Sequence, residues 1–423
     1  MLEIQLLRQE KEAVIEKLNL KNFDAASIVE KILMLDEERR KILAENETAL
    51  AFINSASKNI GKLMAEGNKD EAEKIKLDVA AQKEISKMLA EKLADIETEQ
   101  HDALVQLPNL PQKIVPPGKT PEENEVVKTT EIPTLAEIAL PHWDLCERYQ
   151  LVDFELGNKV TGAGFPFYKN QGAKYQRALI QYFLDFNTAA GYQEYQAPLM
   201  VNNASAYGTG NLPDKEGQMY YMPEDDFYMI PTAEVPLTNI FRNDILKQQD
   251  LPIKLTGYTP CFRREAGSHG KDVRGLNRLH QFDKVEIVQF IEPEKSKQAH
   301  DEMVAHVEKL IQSLELPYRI LRLCGGDMSF ASSLTYDFEV YSGAQKRWLE
   351  CSSVSNFKTF QSNRMKIRYK DENNKSQLIH TLNGSSLALP RILACLLENF
   401  QEEDGIRIPK VLVPYFGKDK IML

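Results

Sequence analysis

Basic, acidic and aromatic side chains alternate along residues 260–286 in the middle of the chain. This stretch contains four arginines, two lysines and three glycines. Planar guanidinium groups suit bidentate binding of phosphates and carboxylates, and glycine lets a loop bend closely over a ligand. A solvated basic hairpin would explain the charge, but not the regular interleaving of acids and aromatics. The stretch therefore predicts a site for a ligand that carries phosphate or carboxylate.

Two further stretches combine carboxylate, hydroxyl and amide side chains, namely Glu350-Cys351-Ser352-Ser353 and Thr381-Leu382-Asn383-Gly384-Ser385-Ser386. A carboxylate near hydroxyls can hold Mg²⁺ beside the phosphates of a nucleotide, because Mg²⁺ prefers oxygen ligands and retains waters. Each stretch is a weak signal by itself, since most serine-rich turns are only turns. Thr232-Ala233-Glu234 is weaker still, because it also fits a helix N-cap followed by an acid in the first turn.

The elements that would position these stretches form a mixed pattern of helices and strands. Amphipathic helices are predicted at 175–190 and 296–314, and strands at 227–230, 285–291, 318–323, 336–341 and 366–369. Their hairpin-type spacing predicts an α+β domain, in which a largely antiparallel sheet is flanked by helices. The chain has neither a Walker A motif nor a strand-linked G-x-G-x-x-G, so P-loop and Rossmann nucleotide sites are not supported.

The N-terminal region, from about residue 25 to 105, has the pattern of two long helices that pack against each other. One apolar seam recurs every seven residues, at Ile28, Leu35, Ile42, Ala49, Ala56 and Leu63, with Ile32, Ile53 and Ile60 on the neighbouring row. The other runs through Ile75, Val79, Gln82, Ser86, Leu89, Leu93, Ile96, Gln100 and Ala103. Gly67 and Asn68 supply a helix stop and an N-cap between the two seams. The pattern predicts an antiparallel helical hairpin with arms about 55 Å long.

Composition sets the remaining expectations. Prolines follow the second seam from Pro108 onwards, which predicts an N-terminal domain at 1–107, a linker at 108–125 and a second domain at 126–423. The 423 residues carry a net charge of −10, which argues against non-specific binding of nucleic acid. No apolar run reaches about 18 residues, and an acid stands at position 3, so a cytoplasmic protein without a membrane span is expected. The five cysteines form no C-x-x-C pair, so neither disulfides nor a thiolate zinc site is expected.

The order of these stretches resembles the class II aminoacyl-tRNA synthetases, and among them the bacterial-type seryl-tRNA synthetases. Phe262-Arg263-x-Glu265 resembles the second signature motif of the class, and Asn383-Gly384-Ser385-x-Leu387-Ala388-x-x-Arg391 resembles the third. Residues 191–198 look like the first motif, whose strand and proline build a dimer interface in the family. Thr232-Ala233-Glu234, residues 280–286 and Glu350-x-Ser352-Ser353 are similar to stretches particular to the seryl members. The resemblance runs essentially from end to end and includes the hairpin.

The resemblance implies a role for each candidate residue. The catalytic residues would be Arg263, which would bridge the serine carboxylate and the α-phosphate of ATP, and Arg391, which would stack on the adenine opposite Phe282. ATP would be bound by Arg263, Glu265, Arg278, Leu279, Phe282, Glu350, Cys351, Ser352, Ser353 and Arg391. Serine would be bound by Thr232, Ala233, Glu234, Arg263, Glu286, Asn383 and Ser385. Glu350 and Ser353 would ligate Mg²⁺, and no zinc is implied.

The implied reaction is ATP-dependent formation of seryl-adenylate, followed by transfer of serine to tRNA(Ser), with tRNA(Sec) as a further acceptor that the resemblance leaves open. The implied assembly is a homodimer. Two alternatives keep part of the pattern: a synthetase-like ligase that loads an amino acid onto a carrier protein, and a non-catalytic RNA-binding paralogue. The long hairpin counts against the first, and the intact Arg263, Glu265 and Arg391 count against the second. Ser386 and Pro390 depart from the glycines that are common in the third motif.

Overall fold

The computed structural model describes residues 1–133, 139–266 and 274–423. Residues 267–273, in the middle of the predicted basic stretch, therefore lie outside the described residues. The chain forms two compact units. The first comprises Met1–Asn19 and Phe23–Pro108, and the second comprises Leu20–Asn22 and Asn109–Leu423.

The N-terminal unit contains two short helices and a long helical hairpin. The helices are α1 (Ile4–Gln9), α2 (Lys11–Leu20), α3 (Ala26–Ala65) and α4 (Lys69–Val105). At 40 residues α3 is about 60 Å long. The predicted turn is confirmed, because Gly67 has a φ of +84° and Asn68 occupies the N-cap position of α4.

The hairpin is held by one narrow seam. Every predicted seam residue is buried or half-buried, whereas most other positions of α3 and α4 are exposed. Leu35, Ile42 and Ile96 form a small apolar core, against which Leu89 and Leu93 pack. The polar interruption at Ser86 is bonded across the seam, since its hydroxyl donates to the Asn46 side-chain oxygen at 2.7 Å. Because the seam buries only one stripe of each helix, the rest of the hairpin remains available to solvent or a partner.

The second unit contains the remaining helices and strands. Its helices are α5 (His142–Arg148), α6 (Phe154–Val160), α7 (Asn170–Ala189), α8 (Asn203–Thr209), α9 (Glu234–Thr238), α10 (Ser296–Ser313), α11 (Phe360–Met365), α12 (Leu389–Asn399) and α13 (Val413–Phe416). Its strands are β1 (Glu125–Thr129), β2 (Val152–Asp153), β3 (Phe167–Tyr168), β4 (Gln193–Glu194), β5 (Met200–Asn202), β6 (Tyr221–Met222), β7 (Phe227–Met229), β8 (Ile245–Lys247), β9 (Ile253–Phe262), β10 (Gln281–Ile291), β11 (Tyr318–Arg322), β12 (Leu334–Ser342), β13 (Arg347–Lys358), β14 (Arg368–Lys370), β15 (Ser376–Leu378), β16 (His380–Ala388), β17 (Ile406–Arg407) and β18 (Lys420–Ile421).

One large sheet organises this unit, with the strand order β1-β11-β12-β13-β16-β10-β9-β4. Neighbouring strands are antiparallel except β4 and β9, which are parallel. Residues of α7, α10 and α12 share one apolar core with the central strands. The predicted α+β fold with an antiparallel sheet is confirmed. The predicted strand at 366–369 is shifted, because Lys366 ends α11 with a φ of +56° and the strand begins at Arg368.

The topology brings distant motifs to neighbouring strands. β10 lies between β9 and β16, and Glu286 on β10 faces Ser385 on β16 across the ladder. β16 leads directly into α12, so Arg391 stands in the first turn of that helix. Pro390 also lies in this first turn, where proline is tolerated because the N–H it lacks has no partner within the helix. The departure at Pro390 is therefore compatible with the start of the helix.

Candidate active site

Strands β10, β13 and β16, parts of the connection between β9 and β10, and the first turn of α12 line one open cleft, here called the first cleft. Residues of all three predicted groups (basic stretch, acid-serine stretch and third motif) meet there. The predicted ATP-binding residues that line it are Arg263, Glu265, Arg278, Leu279, Phe282, Glu350, Cys351, Ser352, Ser353 and Arg391. Ser385, a predicted serine-binding residue, lines it as well. Residues that are up to 128 positions apart in the sequence thus share one cavity.

A bulge in β13 decides how the acid-serine stretch faces the cleft. In a regular strand, residues three apart point to opposite faces of the sheet. The pairing of β13 with β12 shifts between Phe338 and Glu339, which leaves Cys351 as an extra residue on β13. This bulge brings Glu350 and Ser353 to the same face. A carboxylate and a hydroxyl are therefore available side by side.

Arg391 is held by backbone carbonyl groups on two sides of the first cleft. Its Nε donates to the carbonyl of Asn277 at 3.1 Å, and one terminal nitrogen donates to the carbonyl of Glu350 at 2.6 Å. The Glu350 carboxylate lies 3.6 Å from the same guanidinium. These contacts fix the plane of the guanidinium group, which is the condition for stacking on a flat ligand.

Arg263 lines both the first cleft and a neighbouring one, here called the second cleft. Its guanidinium carbon is 5.3 Å from the centre of the Phe282 ring, and its Nε donates to the Pro231 carbonyl at 3.3 Å. The carboxylate of Glu265 is paired with the guanidinium of Arg278, and both residues also line the two clefts. A cationic group is thus placed where ligands in the two clefts would meet.

The second cleft contains predicted serine-binding side chains. Thr232 and Glu234 line it, and the Thr232 hydroxyl donates to Glu286 at 3.1 Å. Glu286 is 2% exposed, and its carboxylate is paired with Lys284 at 2.6 Å. Ala233 is fully buried in an apolar cluster, so its side chain lines neither cleft.

Two half-buried residues in this region, Glu234 and Asp337, have carboxyl groups with displaced pKa values. Burial, together with the charge of Glu286, raises the pKa of Glu234 to about 7, although hydrogen bonds from Gln361 and Asn383 and the charge of Lys284 oppose the shift. Burial, followed by the charge of Glu350, raises the pKa of Asp337 well above its usual range. Carboxyl groups with such shifts cluster at functional sites, because binding a charged ligand there is coupled to their ionisation.

Comparison with known proteins identifies the family. The model of the seryl-tRNA synthetase N-terminal domain matches residues 1–111, and that of the tRNA synthetase class II core domain (G, H, P, S and T) matches residues 220–400. The serine--tRNA ligase of Salinibacter ruber is 48% identical over 424 residues, which cover 100% of this chain and 99% of that protein. The serine--tRNA ligase of Methylacidiphilum infernorum is 44% identical and covers 99% of this chain and 100% of its own.

The chain belongs to the seryl-tRNA synthetase family. It is a class II aminoacyl-tRNA synthetase with the serine--tRNA ligase activity of that family. Two solved seryl-tRNA synthetase structures have the same fold over 100% of this chain and 99% of their own. That of Pyrococcus horikoshii, complexed with ATP, gives a TM-score of 0.92 at 32% identity. That of Naegleria fowleri, in complex with AMP, gives a TM-score of 0.88 at 26% identity.

Sequence reasoning missed several residues that contact those assigned from the family. Lys284 lies in the first cleft, and its alternation with Phe282 and Glu286 on β10 was a signal for a shared face. Asn277 supplies the carbonyl that binds Arg391, and Gln361 donates to Glu234 at 2.7 Å. Asp337 faces Ser353 across the β12–β13 ladder. Only the tertiary contacts show the last three.

The oxygen atoms of Glu350 and Ser353 suit a magnesium ion whose other ligands would be water and the phosphates of the substrate. Within residues 1–133, 139–266 and 274–423 no three His, Cys, Asp or Glu side chains form a metal cluster. Glu350 is half exposed, and its hard oxygen atoms stand beside the hydroxyl of Ser353 on the wall of the first cleft. Such a donor pair fits Mg²⁺, which usually binds proteins through one or two carboxylates together with water and substrate phosphates.

Proposed function

We propose that the first cleft binds ATP and the second binds L-serine, and that the reaction between them takes place at Arg263. The supporting observation is that Arg263 lines both clefts and stands beside the Phe282 ring. Its guanidinium would hold the serine carboxylate and the α-phosphate together. A carboxylate oxygen then attacks the α-phosphorus and pyrophosphate leaves, which gives seryl-adenylate. Positioning and charge neutralisation are sufficient for this step, and no protein nucleophile is needed.

On the nucleotide side, each charged group has a distinct task. Phe282 and Arg391 would hold the adenine between a ring face and a guanidinium plane, and Glu265 would accept a hydrogen bond from its amino group. Arg278 would bind the γ-phosphate, which requires its pairing with Glu265 to open. Glu350 and Ser353 would hold Mg²⁺, which neutralises charge on the departing pyrophosphate.

Serine selection would depend on the buried groups around Thr232. Glu234 would bind the serine ammonium group in its ionised form. Ser385, on the wall of the adjoining first cleft, and Glu286 and Asn383, which line neither cleft, would surround the hydroxyl. Asn383 and Ser385 are each 6% exposed on β16, next to Glu286 on β10. Alanine lacks the hydroxyl and would leave these groups without a partner, which is a strong ground for rejection, by about 10⁴ in good cases.

In the second step, the terminal adenosine hydroxyl of tRNA(Ser) would attack the carbonyl carbon of seryl-adenylate and release AMP. The hairpin of α3 and α4 would bind this tRNA. Its surface carries both signs of charge, including ion pairs between the helices at Lys31–Glu99 and Lys92–Glu38. Recognition would therefore depend on the shape and the backbone of the RNA more than on the overall charge of the hairpin.

The assembly we propose is a homodimer built around the first signature motif. Two exposed apolar side chains, Met200 and Phe227, lie on one face of the three-stranded sheet β5-β7-β6, and a third, Tyr195, directly follows β4. They are 39% to 49% exposed in the single chain. Large apolar side chains exposed in this way favour an interface. Sedimentation should give twice the mass of the chain.

Pyrophosphate exchange with each amino acid in turn tests the proposal. Exchange of labelled pyrophosphate into ATP should depend on serine and on Mg²⁺. Dependence on alanine or glycine alone would contradict the assignment of the second cleft. Charging assays with purified tRNA(Ser) and tRNA(Sec) then show which acceptors the enzyme uses. The described residues contain no helix that is both long and apolar enough to cross a membrane.

A further inference from the structure

A buried histidine–carboxylate pair lies behind the first cleft and has no role in the proposed mechanism. His142 at the start of α5 and Glu398 near the end of α12 are both 0% exposed. The ring Nδ1 of His142 lies 2.7 Å from Glu398 Oε1, and the His142 backbone N–H donates to the same oxygen at 3.0 Å. Neither residue lines the first or the second cleft.

The other ring nitrogen defines the tautomer of His142. The backbone N–H of Leu276 donates to Nε2 at 2.9 Å, so Nε2 must carry a lone pair. The proton is therefore on Nδ1, which donates it to Glu398. Burial alone would raise the pKa of Glu398, but its hydrogen bonds with His142 and Ser342 hold that pKa below the usual value. An ionised carboxylate thus orients a neutral imidazole, which in turn accepts from a backbone N–H.

A second chain of hydrogen bonds joins the Glu398 carboxylate to Asn277, the residue after Leu276. Gln345 Nε2 donates to Glu398 Oε1 at 3.1 Å, and Asn277 Nδ2 donates to Gln345 Oε1 at 2.9 Å. The imidazole of His142 also lies so close to the residue before Leu276 that a side chain would clash there. Gly275 has a φ of +64°, and a Cβ added there would stand 2.3 Å from His142 Nε2.

Both anchored residues belong to the wall of the first cleft. Leu276 and Asn277 line it, and the carbonyl of Asn277 binds Arg391 Nε. Arg278 and Leu279 follow directly in the sequence. We propose that His142 and Glu398 are positioning residues for ATP, which fix Leu276 and Asn277 and through them the guanidinium groups of Arg391 and Arg278. The inference depends on the proposed assignment of the first cleft to ATP.

Two amide substitutions at position 142 separate this role from a purely structural one. An asparagine amide takes the place of ring Nδ1, so His142→Asn keeps a donor for Glu398 and removes the acceptor for Leu276. A glutamine amide reaches the place of Nε2, so His142→Gln keeps the acceptor and loses the donor. We expect His142→Asn to weaken ATP binding about tenfold and His142→Gln to weaken it about threefold or less, because an unpaired buried N–H is costly.

The binding of ATP with Mg²⁺ is measured by calorimetry on the full chain, and KM values for ATP and serine are measured by pyrophosphate exchange. In His142→Asn the KM for ATP should rise about tenfold, while the KM for serine should change less than about twofold. Equal losses in the two variants, or equal changes in the two KM values, would overturn the inference. The calorimetric ratio does not depend on which amino acid is activated, so a failure of serine-dependent exchange in the wild type is a separate result.

Two further variants control for folding. His300→Asn removes another buried imidazole, whose Nε2 lies 3.1 Å from the Val354 carbonyl and which lines neither cleft. It should lower Tm without changing the affinity for ATP. Should the variants at position 142 fail to fold, Gln345→Met at a half-buried position removes the link to Asn277. It should weaken ATP binding about threefold, and unchanged binding in it would overturn the inference.

Discussion

The helical hairpin is built from local, repeated contacts, whereas the sheet unit is built from pairing between residues that are far apart in the sequence. In the hairpin, α3 and α4 touch along one repeated seam, and the apolar core at its base needs only Leu35, Ile42 and Ile96 with two half-buried neighbours. In the sheet unit, Glu286 pairs with Ser385 across 99 residues of sequence, and Glu286 lies 2% exposed. A local repeat provides length and surface at little cost in loop entropy. Non-local pairing provides buried, charged groups at fixed distances.

The same contrast appears in the polar groups of the two regions. The seam pair Ser86 and Asn46 is half-buried and neutral. In the sheet unit, burial raises the pKa of Glu234 to about 7 and the pKa of Asp337 well above its usual range. The Ser86–Asn46 pair therefore fixes the register of the seam, whereas these two carboxyl groups of the sheet unit are prepared for ligand chemistry. Four changes test this contrast.

Removing Arg263 should have the largest effect. We expect Arg263→Ala to lower serine-dependent pyrophosphate exchange by at least about 10³-fold, because the group that would join the two substrates is lost. Arg264→Ala is the matched control, since this guanidinium lies 5.9 Å from the Tyr220 ring and lines neither cleft. It should keep exchange within about threefold of the wild type. Similar losses in both variants would show that the stretch contributes only general charge.

Shortening the hairpin should separate the two regions by function. Asn46 and Ser86 touch across the seam, so residues 47–85 can be deleted and the helices joined by about four glycines, with the core at Leu35, Ile42 and Ile96 retained. We expect exchange to remain unchanged and kcat/KM for charging of tRNA(Ser) to fall about 100-fold, because backbone contacts to the RNA are lost. A shortened enzyme that charges tRNA normally would show that the hairpin is only a spacer.

The carboxyl group of Glu234 should make kcat/KM for serine depend on pH. With a pKa raised to about 7, Glu234 is half protonated at neutral pH, so kcat/KM for serine should rise about tenfold from pH 6 to a plateau above pH 7. Glu234→Gln should lower kcat/KM and remove this dependence. A wild-type profile that is flat between pH 6 and 8 would contradict the proposed contact with the ammonium group.

The same pKa shift changes the stability of the protein in the opposite direction, so that stability falls as pH rises. Because the pKa of Glu234 in the folded state is raised above its ordinary value of 4.5, the folded protein binds extra protons between pH 4.5 and 7. This contribution to the free energy of unfolding is present at low pH and is lost as pH rises through 7. The Tm difference between wild type and Glu234→Gln, followed by calorimetry across this range, should therefore change in favour of the variant as pH rises.

A change in the seam should have the smallest effect. Ser86→Ala removes the donor to Asn46 and should lower the free energy of unfolding of the hairpin by about 1 kcal/mol. The double variant Asn46→Leu, Ser86→Leu should be as stable as the wild type or more so, since both polar partners are replaced by apolar groups. Urea unfolding followed by the helical circular dichroism signal measures both. Exchange activity should not change in either variant.

The sequence by itself determined the features that depend on local pattern. Heptad spacing placed the two arms of the hairpin, and Gly67 and Asn68 marked its turn, because a helix seam and a helix end are encoded within a few residues. The order of the signature motifs indicated the family and its reaction. Alternation on β10 also places Lys284 on the same face as Phe282 and Glu286.

Only the tertiary structure decided which groups touch. The bulge at Cys351 turns Glu350 and Ser353 to one face, and it is visible only in the pairing of β13 with β12. The contact of Asn277 with Arg391 spans 114 residues, and that of His142 with Glu398 spans 256. No short-range pattern encodes such pairs, because they depend on strand order and helix packing over the whole unit. The chemistry that the residues can perform follows from their types, whereas their pKa values, tautomers and orientations follow from where the fold buries them.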